Sequence, residues 1–362
     1  VSLRPEAVEE VQEALRGHKR VLPRGGGTKP ALSSPPEGTV TLEVSGLTGI
    51  EDYDPEELTF TARAGTALGV IEAALAENGQ YLPFDPPLVA AGATLGGAVA
   101  AGTSGPLRYR SGGVRDFILG VRFIDGEGRL VRAGGRVVKN AAGFDLSKLM
   151  VGSAGRLGVM VELSFKVFPQ PQGWATLTVD CAGLDEALAL IGALATAPFD
   201  LEALDLEPPG RLSLRLAGVA DAMPARLERL EGILERSGER LEGEEEGILW
   251  RKVRDFAWVA ENTAIVKVAL VPKRVPELEA KLEELAVERR YGAGANIAWL
   301  AWPGERSAQE LDELLRSVGL AGIFLTGSPE TPMVGTHRGG VFAQRVKSAL
   351  DPPGRFPEVQ AR

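Results

Sequence analysis

Histidine and cysteine are almost missing from this chain of 362 residues, which carries two of the first and one of the second. The lone Cys181 excludes a disulfide within the chain and a clustered cysteine metal site, and it fits a reducing compartment. With only His18 and His337 there is no histidine cluster, and no metal is expected. The net charge of −9 leaves no basic stripe to displace counterions from a nucleic acid backbone. Long apolar runs are also lacking. The longest weakly polar stretch, Val89 to Ala101, is Gly- and Ala-rich and falls short of the roughly 20 residues that a membrane span needs. Val1 to Pro5 lack the basic and apolar regions of a signal peptide, so a cytoplasmic protein is expected.

Glycine, by contrast, is abundant and clustered. Gly25-Gly26-Gly27 directly follows a short apolar strand, Arg20 to Leu22, and is flanked by Arg24 and Thr28. That is a backbone nest with an added cation and hydroxyl, suited to a pyrophosphate. Gly96-Gly97 opens a short helix ending near Gly102, where unpaired N–H groups would favour an anion. Gly152-x-x-Gly155-x-x-Gly158 has the spacing of a nicotinamide fingerprint, but a helix precedes it and a strand follows, the reverse of a Rossmann turn. Missing Cβ atoms and exposed N–H groups suit a ligand rich in phosphate and flat rings.

The apolar spacing predicts a first helix with Pro5 in its opening turn and Val8, Val11 and Leu15 on one face. Strands are expected at Thr39 to Val44, Leu58 to Ala64 and Val159 to Phe168, and a hairpin at Phe117 to Asp125 and Arg129 to Ala133. Thr66 is read as the N-cap of a helix carrying Leu68, Ile71 and Leu75, and Phe144 to Val151 as another helix. Pro169-Gln170-Pro171-Gln172-Gly173 marks a boundary. Beyond it, two β-α-β-β-α-β passes predict an antiparallel sheet with helices on one side. Glu242 to Glu246 is read as a solvated loop, and Arg115-Asp116 as a local ion pair.

These motifs resemble the flavin-binding domain of the vanillyl-alcohol oxidase and p-cresol methylhydroxylase superfamily. More specifically, Tyr53 to Thr66, Leu82 to Pro87, Ser104 to Arg108, Val114 to Gly120 and Val138 to Asp145 are similar to the smaller, FAD-binding E subunits of bacterial glycolate oxidase. The resemblance implies an α+β fold: a two-part FAD-binding domain over residues 1–170, completed by 338–362, and a ferredoxin-like antiparallel cap over 171–337. Together with the motifs it assigns the cofactor to Arg24, Gly25, Gly26, Gly27, Thr28 and Pro86, to Thr94, Gly96, Gly97 and Ala100, to Gly102, Thr103, Ser104 and Gly105, and to Gly155, Gly158 and Val159.

It further implies an oxidoreductase subunit partnered by a larger catalytic flavoprotein and an iron–sulfur subunit, oxidising glycolate, a small 2-hydroxy acid, to glyoxylate. Membrane association through those partners stays open. Thr28 stands where some superfamily members carry a histidine bonded to the flavin, so non-covalent FAD is expected. The chain departs from the family's Asn-Pro-Gly-Arg turn, reading Pro353-Gly354-Arg355-Phe356-Pro357, which puts the C-terminal edge of the flavin site in question. A hydroxy acid oxidase needs a base and a carboxylate-binding cation. Only His337 offers itself as base, while Arg108 and Arg110 could pair with phosphate or carboxylate. An electron-relay or accessory flavin subunit is therefore the leading reading. A self-sufficient FAD-dependent 2-hydroxy-acid dehydrogenase and a non-catalytic assembly subunit with structural FAD are the alternatives.

Overall fold

Val11, Ala14 and Leu15 form the buried face of the helix Val8–Gly17, following the apolar spacing. Pro5 lies outside it, before the Ala7 cap. The helix belongs to the first of two compact units in the computed structural model, which describes residues 1–135 and 144–358. This unit comprises Val1–Ser104, Gly113–Gln170 and residues 337–358. The expected Lys139 to Gly143 motif lies outside the described residues.

Two main sheets build the first unit. Ser2–Leu3, Val40–Glu43 and Val21–Arg24 pair in parallel, in that order. Ile50–Asp54, Thr59–Arg63, Val159–Lys166, Ile118–Ile124 and Leu130–Gly134 form an antiparallel sheet of five. Its core is aromatic. Phe165 stacks on Phe60 with centroids 5.9 Å apart and meets Phe84 at 5.5 Å. Thr66 does not cap the helix Leu68–Ala76, whose N-cap is Ala67. Its hydroxyl instead bridges the Gly49 N–H and carbonyl, at 3.0 and 3.1 Å.

The C-terminal turn closes this unit at an edge. Val21 N donates to Arg355 O, and the Arg355 guanidinium donates to His18 O and Gly126 O. Asp351, buried and paired with Lys347, accepts from the Arg355 and Phe356 N–H groups. The altered Pro353-Gly354-Arg355 sequence thus builds a clasp on the ends of other elements.

The second unit comprises Gly105–Gly112 and Pro171–Thr336. Its nine-stranded sheet contains two ferredoxin-like halves with the same internal strand order, related as mirror-ordered runs across the sheet. The first contributes Glu239–Glu242, Gly173–Asp180, Arg211–Gly218 and Ala203–Glu207; the second, Glu288–Gly292, Ile297–Pro303, Thr263–Ala269 and Ala321–Phe324. They join where Leu206 pairs with Tyr291, and Met333–Gly335 adds an edge strand. The mixed helix-and-sheet class is the one expected from the sequence.

Two expectations fail here. Glu242 to Glu246 is not a solvated loop: the helix Gly243–Arg254 begins there, and Glu246 is only 2% exposed. Glu246 holds Arg215 through two hydrogen bonds, at 2.7 and 3.1 Å, and accepts from Thr176 Oγ1. Thr176 faces away from Ala175 and Leu177, so this helix covers the sheet face opposite to theirs, and the helices are not all on one side. The acidic run reads as surface because its burial depends on a distant arginine. Glu246→Ala should destabilise the protein by ~3–5 kcal/mol by stranding Arg215. Denaturant titration followed by circular dichroism measures this, and a loss below about 1 kcal/mol would contradict it.

Candidate functional site

A cleft in the first unit is lined by the turn Gly25 to Thr28, the small residues Gly96, Gly97 and Ala100, and the loop residues Ala154, Gly155 and Gly158. Backbone packs against backbone here. A Cβ on Gly25 would collide with Thr94 Oγ1, and one on Gly26 with the Gly92 carbonyl; Gly27 has φ +69°. The backbone N–H groups of Gly25, Gly26, Gly27 and Thr28 have no acceptor among the described residues. Four unpaired donors on a cleft wall are the set that an anion with several oxygens requires.

The helix Leu95–Ala101 does not supply such donors. Leu95 N–H donates to Thr66 O at 3.0 Å, Gly96 N–H to Ala64 O at 2.8 Å, and Gly97 N–H to Thr94 Oγ1 at 3.2 Å. The anion expectation for this terminus fails because neighbouring loops already saturate it. Gly96 is needed for close packing instead: a Cβ there would stand 2.8 Å from the Ala64 Cβ. At the other end, Gly152 and Ala154 N–H donate to Val99 O and Ala100 O, at 2.9 and 2.8 Å, which fixes the loop that forms the opposite wall.

Of the residues expected at the site, Arg24, Gly25, Gly26, Gly27, Thr28, Thr94, Gly96, Gly97, Ala100, Gly155 and Gly158 line one cleft. Pro86, Gly102, Thr103, Ser104, Gly105 and Val159 are not in its lining. Gly102 is the left-handed C-cap of the helix, and Ser104 Oγ accepts from Val114 N at 3.0 Å. Thr103 is fully buried with Oγ1 unpartnered, and Val159 is fully buried in the core. Gly105 belongs to the second unit. Sequence reasoning missed Lys29, Leu32, Val44, Ala64 and Met160 in the cleft wall. Only Lys29 gave a signal, through its place beside the glycine turn.

The charges also differ from expectation. Arg24 is not a free cation for the nest: Nε donates to Glu43 Oε2 at 3.2 Å, and Nη2 pairs with Oε1. Lys29 is buried and donates to Thr28 Oγ1 at 3.4 Å. Among the described residues, no histidine, aspartate, glutamate, cysteine or tyrosine lines the cleft. His18 Nδ1 lies 2.9 Å from Ala14 O, and neither His18 nor His337 is in the lining. Asp116 accepts from Gly113 N at 2.8 Å instead of pairing with Arg115.

The second unit holds a base that the sequence did not single out. Lys267 lies on the central strand Thr263–Ala269, opposite Trp299, and burial pushes its ammonium down to about 8, with the Arg108 charge adding to the effect. Tyr109, beside Arg108, packs against Gly294, and burial raises its phenol. Arg110 pairs with Asp200 at 2.9 Å, so its charge is already matched.

A family described as "FAD binding domain" matches residues 1–134. Glycolate oxidase subunit GlcE of Escherichia coli (strain K12) is 36% identical over 358 residues, 96% of this chain and 94% of that one. The chain belongs to this GlcE family. Its members fall within the FAD-binding oxidoreductases, and FAD is the cofactor of this chain. Glycolate oxidase subunit GlcD of Bacillus subtilis (strain 168) is 31% identical over 51% of this chain and 40% of its own length. D-lactate dehydrogenase of Archaeoglobus fulgidus is 30% identical over 52% and 43% respectively. An alkyldihydroxyacetonephosphate synthase structure superposes with a TM-score of 0.69 at 17% identity, covering 98% of this chain and 76% of that one. That likeness extends to the fold alone.

The cleft suits FAD on the structure's own terms: its four unpaired N–H groups, its small walls and its lack of carboxylates accommodate an anionic dinucleotide. No helix among the described residues is long and apolar enough to cross a membrane.

Lys267 gives a pH test. Folded, it loses its proton near 8; unfolded, near 10.5, so between those values the unfolded chain holds more protons and stability rises with pH. Relative to Lys267→Met, the wild type should gain on the order of 3 kcal/mol from pH 7 to 11. Denaturation midpoints of both proteins across that range measure it, and parallel curves would refute the shift.

Proposed function

We propose that this chain is the accessory flavin subunit of a glycolate oxidase complex, with FAD held non-covalently in the first-unit cleft. In this reading residues 1–170 and 338–362 form the FAD-binding domain, and 171–337 the cap. The carrying observation is the contrast within the cleft: a complete set of backbone donors and, among the described residues, no histidine or carboxylate to take a substrate's hydroxyl proton. The N–H groups of Gly25 to Thr28 would hold the pyrophosphate; Gly96, Gly155 and Gly158, by letting the walls pack closely on Ala64, Pro23 and Phe123, would shape the slot that the flat rings enter beside Gly97 and Ala100. Pro86, Gly102, Thr103, Ser104 and Val159, within the same unit, would support those walls from behind or beside them. Thr28 offers a hydroxyl to the phosphates and no imidazole for a covalent bond.

Bound FAD would supply a two-electron acceptor able to pass electrons on singly. The partners would be a larger catalytic flavoprotein, as the name of the B. subtilis relative suggests, and an iron–sulfur subunit. Together they would oxidise glycolate to glyoxylate, and any membrane association would come through them.

Lys267 favours a second reading, a self-sufficient 2-hydroxy-acid dehydrogenase. An amine that is neutral above about 8, near the Arg108 guanidinium, could take a hydroxyl proton while the cation holds a carboxylate. His337 remains the weaker candidate base.

Acid precipitation should release intact FAD into the supernatant, and the isolated chain should not turn over glycolate, whereas the three-subunit complex should. A general base contributes ~100- to 10,000-fold. Robust dye reduction by the isolated chain that is abolished by Lys267→Met or His337→Ala would replace the accessory reading with the second one. Flavin that stays in the pellet would refute non-covalent binding.

A further inference from the structure

Arg156 is a buried cation of the first unit that no described residue neutralises. It is 8% exposed and lies in sequence between Gly155 and Gly158, two residues of the cleft wall, while not lining the cleft itself. Its guanidinium makes one hydrogen bond, from Nη2 to the carbonyl of Leu32, itself a wall residue, at 3.3 Å. Nε and Nη1 are buried without a partner. No carboxylate faces it among the described residues, and residues 136–143 and 359–362 contain neither aspartate nor glutamate. Burial alone pushes the group down to about 10, with no opposing charge to restore it.

An unpaired buried cation is strongly unfavourable, and a protein normally neutralises one by a neighbour or a bound anion. Arginine also keeps its charge where lysine would lose it, so the chain cannot escape the cost by deprotonation at neutral pH. The cleft beside it takes a ligand whose only full negative charges are on its pyrophosphate. Arg24, which the sequence suggested for those charges, is occupied by Glu43.

We propose that Arg156 supplies the buried counter-charge for the pyrophosphate of FAD from beside the Leu32 and Gly155 wall. The inference rests on FAD occupying this cleft. Arg156 acts here as a binding and positioning residue that makes cofactor and protein mutually stabilising. Without FAD its desolvated charge opposes folding; with FAD the same charge favours it.

The test compares full-length wild type, Arg156→Met and Arg156→Lys after flavin removal. Dissociation constants are measured for FAD, ADP and riboflavin, and melting temperatures with and without FAD. A charged hydrogen bond is worth about 1.5–3 kcal/mol, so Arg156→Met should weaken FAD and ADP alike by roughly 10- to 150-fold. Riboflavin, which has no phosphate, should bind all three proteins equally, and Arg156→Lys should recover part of the loss. The flavin-free Met variant should melt no lower than wild type.

Unchanged FAD and ADP affinity in the Met variant overturns the proposal, as does an equal loss for riboflavin. A Met variant that fails to fold, or that melts lower without flavin, also overturns it, because Arg156 would then be serving the fold itself. If the wild type binds neither FAD nor ADP, the placement of the cofactor in this cleft is what has failed.

Discussion

Backbone lying directly on backbone is the constraint on which the cofactor cleft depends. The turn Gly25 to Thr28 rests on Gly92 and Thr94, the helix Leu95–Ala101 rests on Ala64, and the loop at Gly152 to Ala154 hangs from the carbonyls of Val99 and Ala100. At Gly25, Gly26 and Gly96 a single Cβ would force neighbouring segments apart. This packing saturates the donors of the helix and leaves those of the turn unpaired. The cleft therefore has one polar wall, and which wall is polar follows from which loops touch. Behind it, Phe60, Phe84, Phe117 and Phe165 fix the antiparallel sheet, so the strand starting at Val159 cannot shift and carry Gly158 with it.

The glycine pattern made the cleft legible, but not the task of each glycine. Spacing shows where a Cβ is forbidden; it does not show whether a ligand or another loop forbids it. Gly26 and Gly96 read as phosphate contacts, and both turn out to be pressed against protein. Arg24 and Arg156 show the same limit for charge. Arg24 stands beside the glycine turn and reads as the cation, yet Glu43, on the adjacent parallel strand, takes it. Arg156 lies 132 residues further along the chain and comes beside this turn's neighbourhood only through the fold. Local elements were more legible than their partners: the helix Val8–Gly17 and the strand Val159–Lys166 fall where the apolar spacing predicts. Glu246 was misread because a run of glutamates carries no mark of which one an arginine will bury.

In the second unit the repeat explains both regularity and weakness. Each ferredoxin-like half closes most of its own hydrogen bonding, and the ladder between them is short, a register pair at Leu206 and Tyr291 with Gly294 N–H donating to Leu204 O at 2.8 Å. Tyr291 is fully buried, and its hydroxyl donates to Glu279, which also pairs with Arg289. Burial and the adjacent carboxylate push the phenol far above its ordinary range, so it remains a donor at any physiological pH. Across the seam itself, Ala293 N–H donates to Asp205 Oδ1 at 3.3 Å and Arg290 pairs with Glu207, so side chains supplement a short backbone ladder. These partners lie in different passes, which is why two matching β-α-β-β-α-β passes in the sequence do not reveal how they join.

The placement of charge separates gripping the cofactor from handling protons. In the first unit, the cleft wall offers amide N–H donors, which do not titrate, and the Arg156 guanidinium lies beside it. Such donors hold an anion equally across the physiological range, but they move no proton. The group tuned to do so, Lys267, lies on a strand of the second unit beside a fixed cation. A flavin held by the first unit alone can accept and pass electrons, because that demands only a stable cofactor. Oxidising an alcohol also demands a base within hydrogen-bond reach of the hydroxyl proton. The chain can meet the first demand within one unit; for the second, Lys267, His337 and a residue supplied by a partner are the candidates.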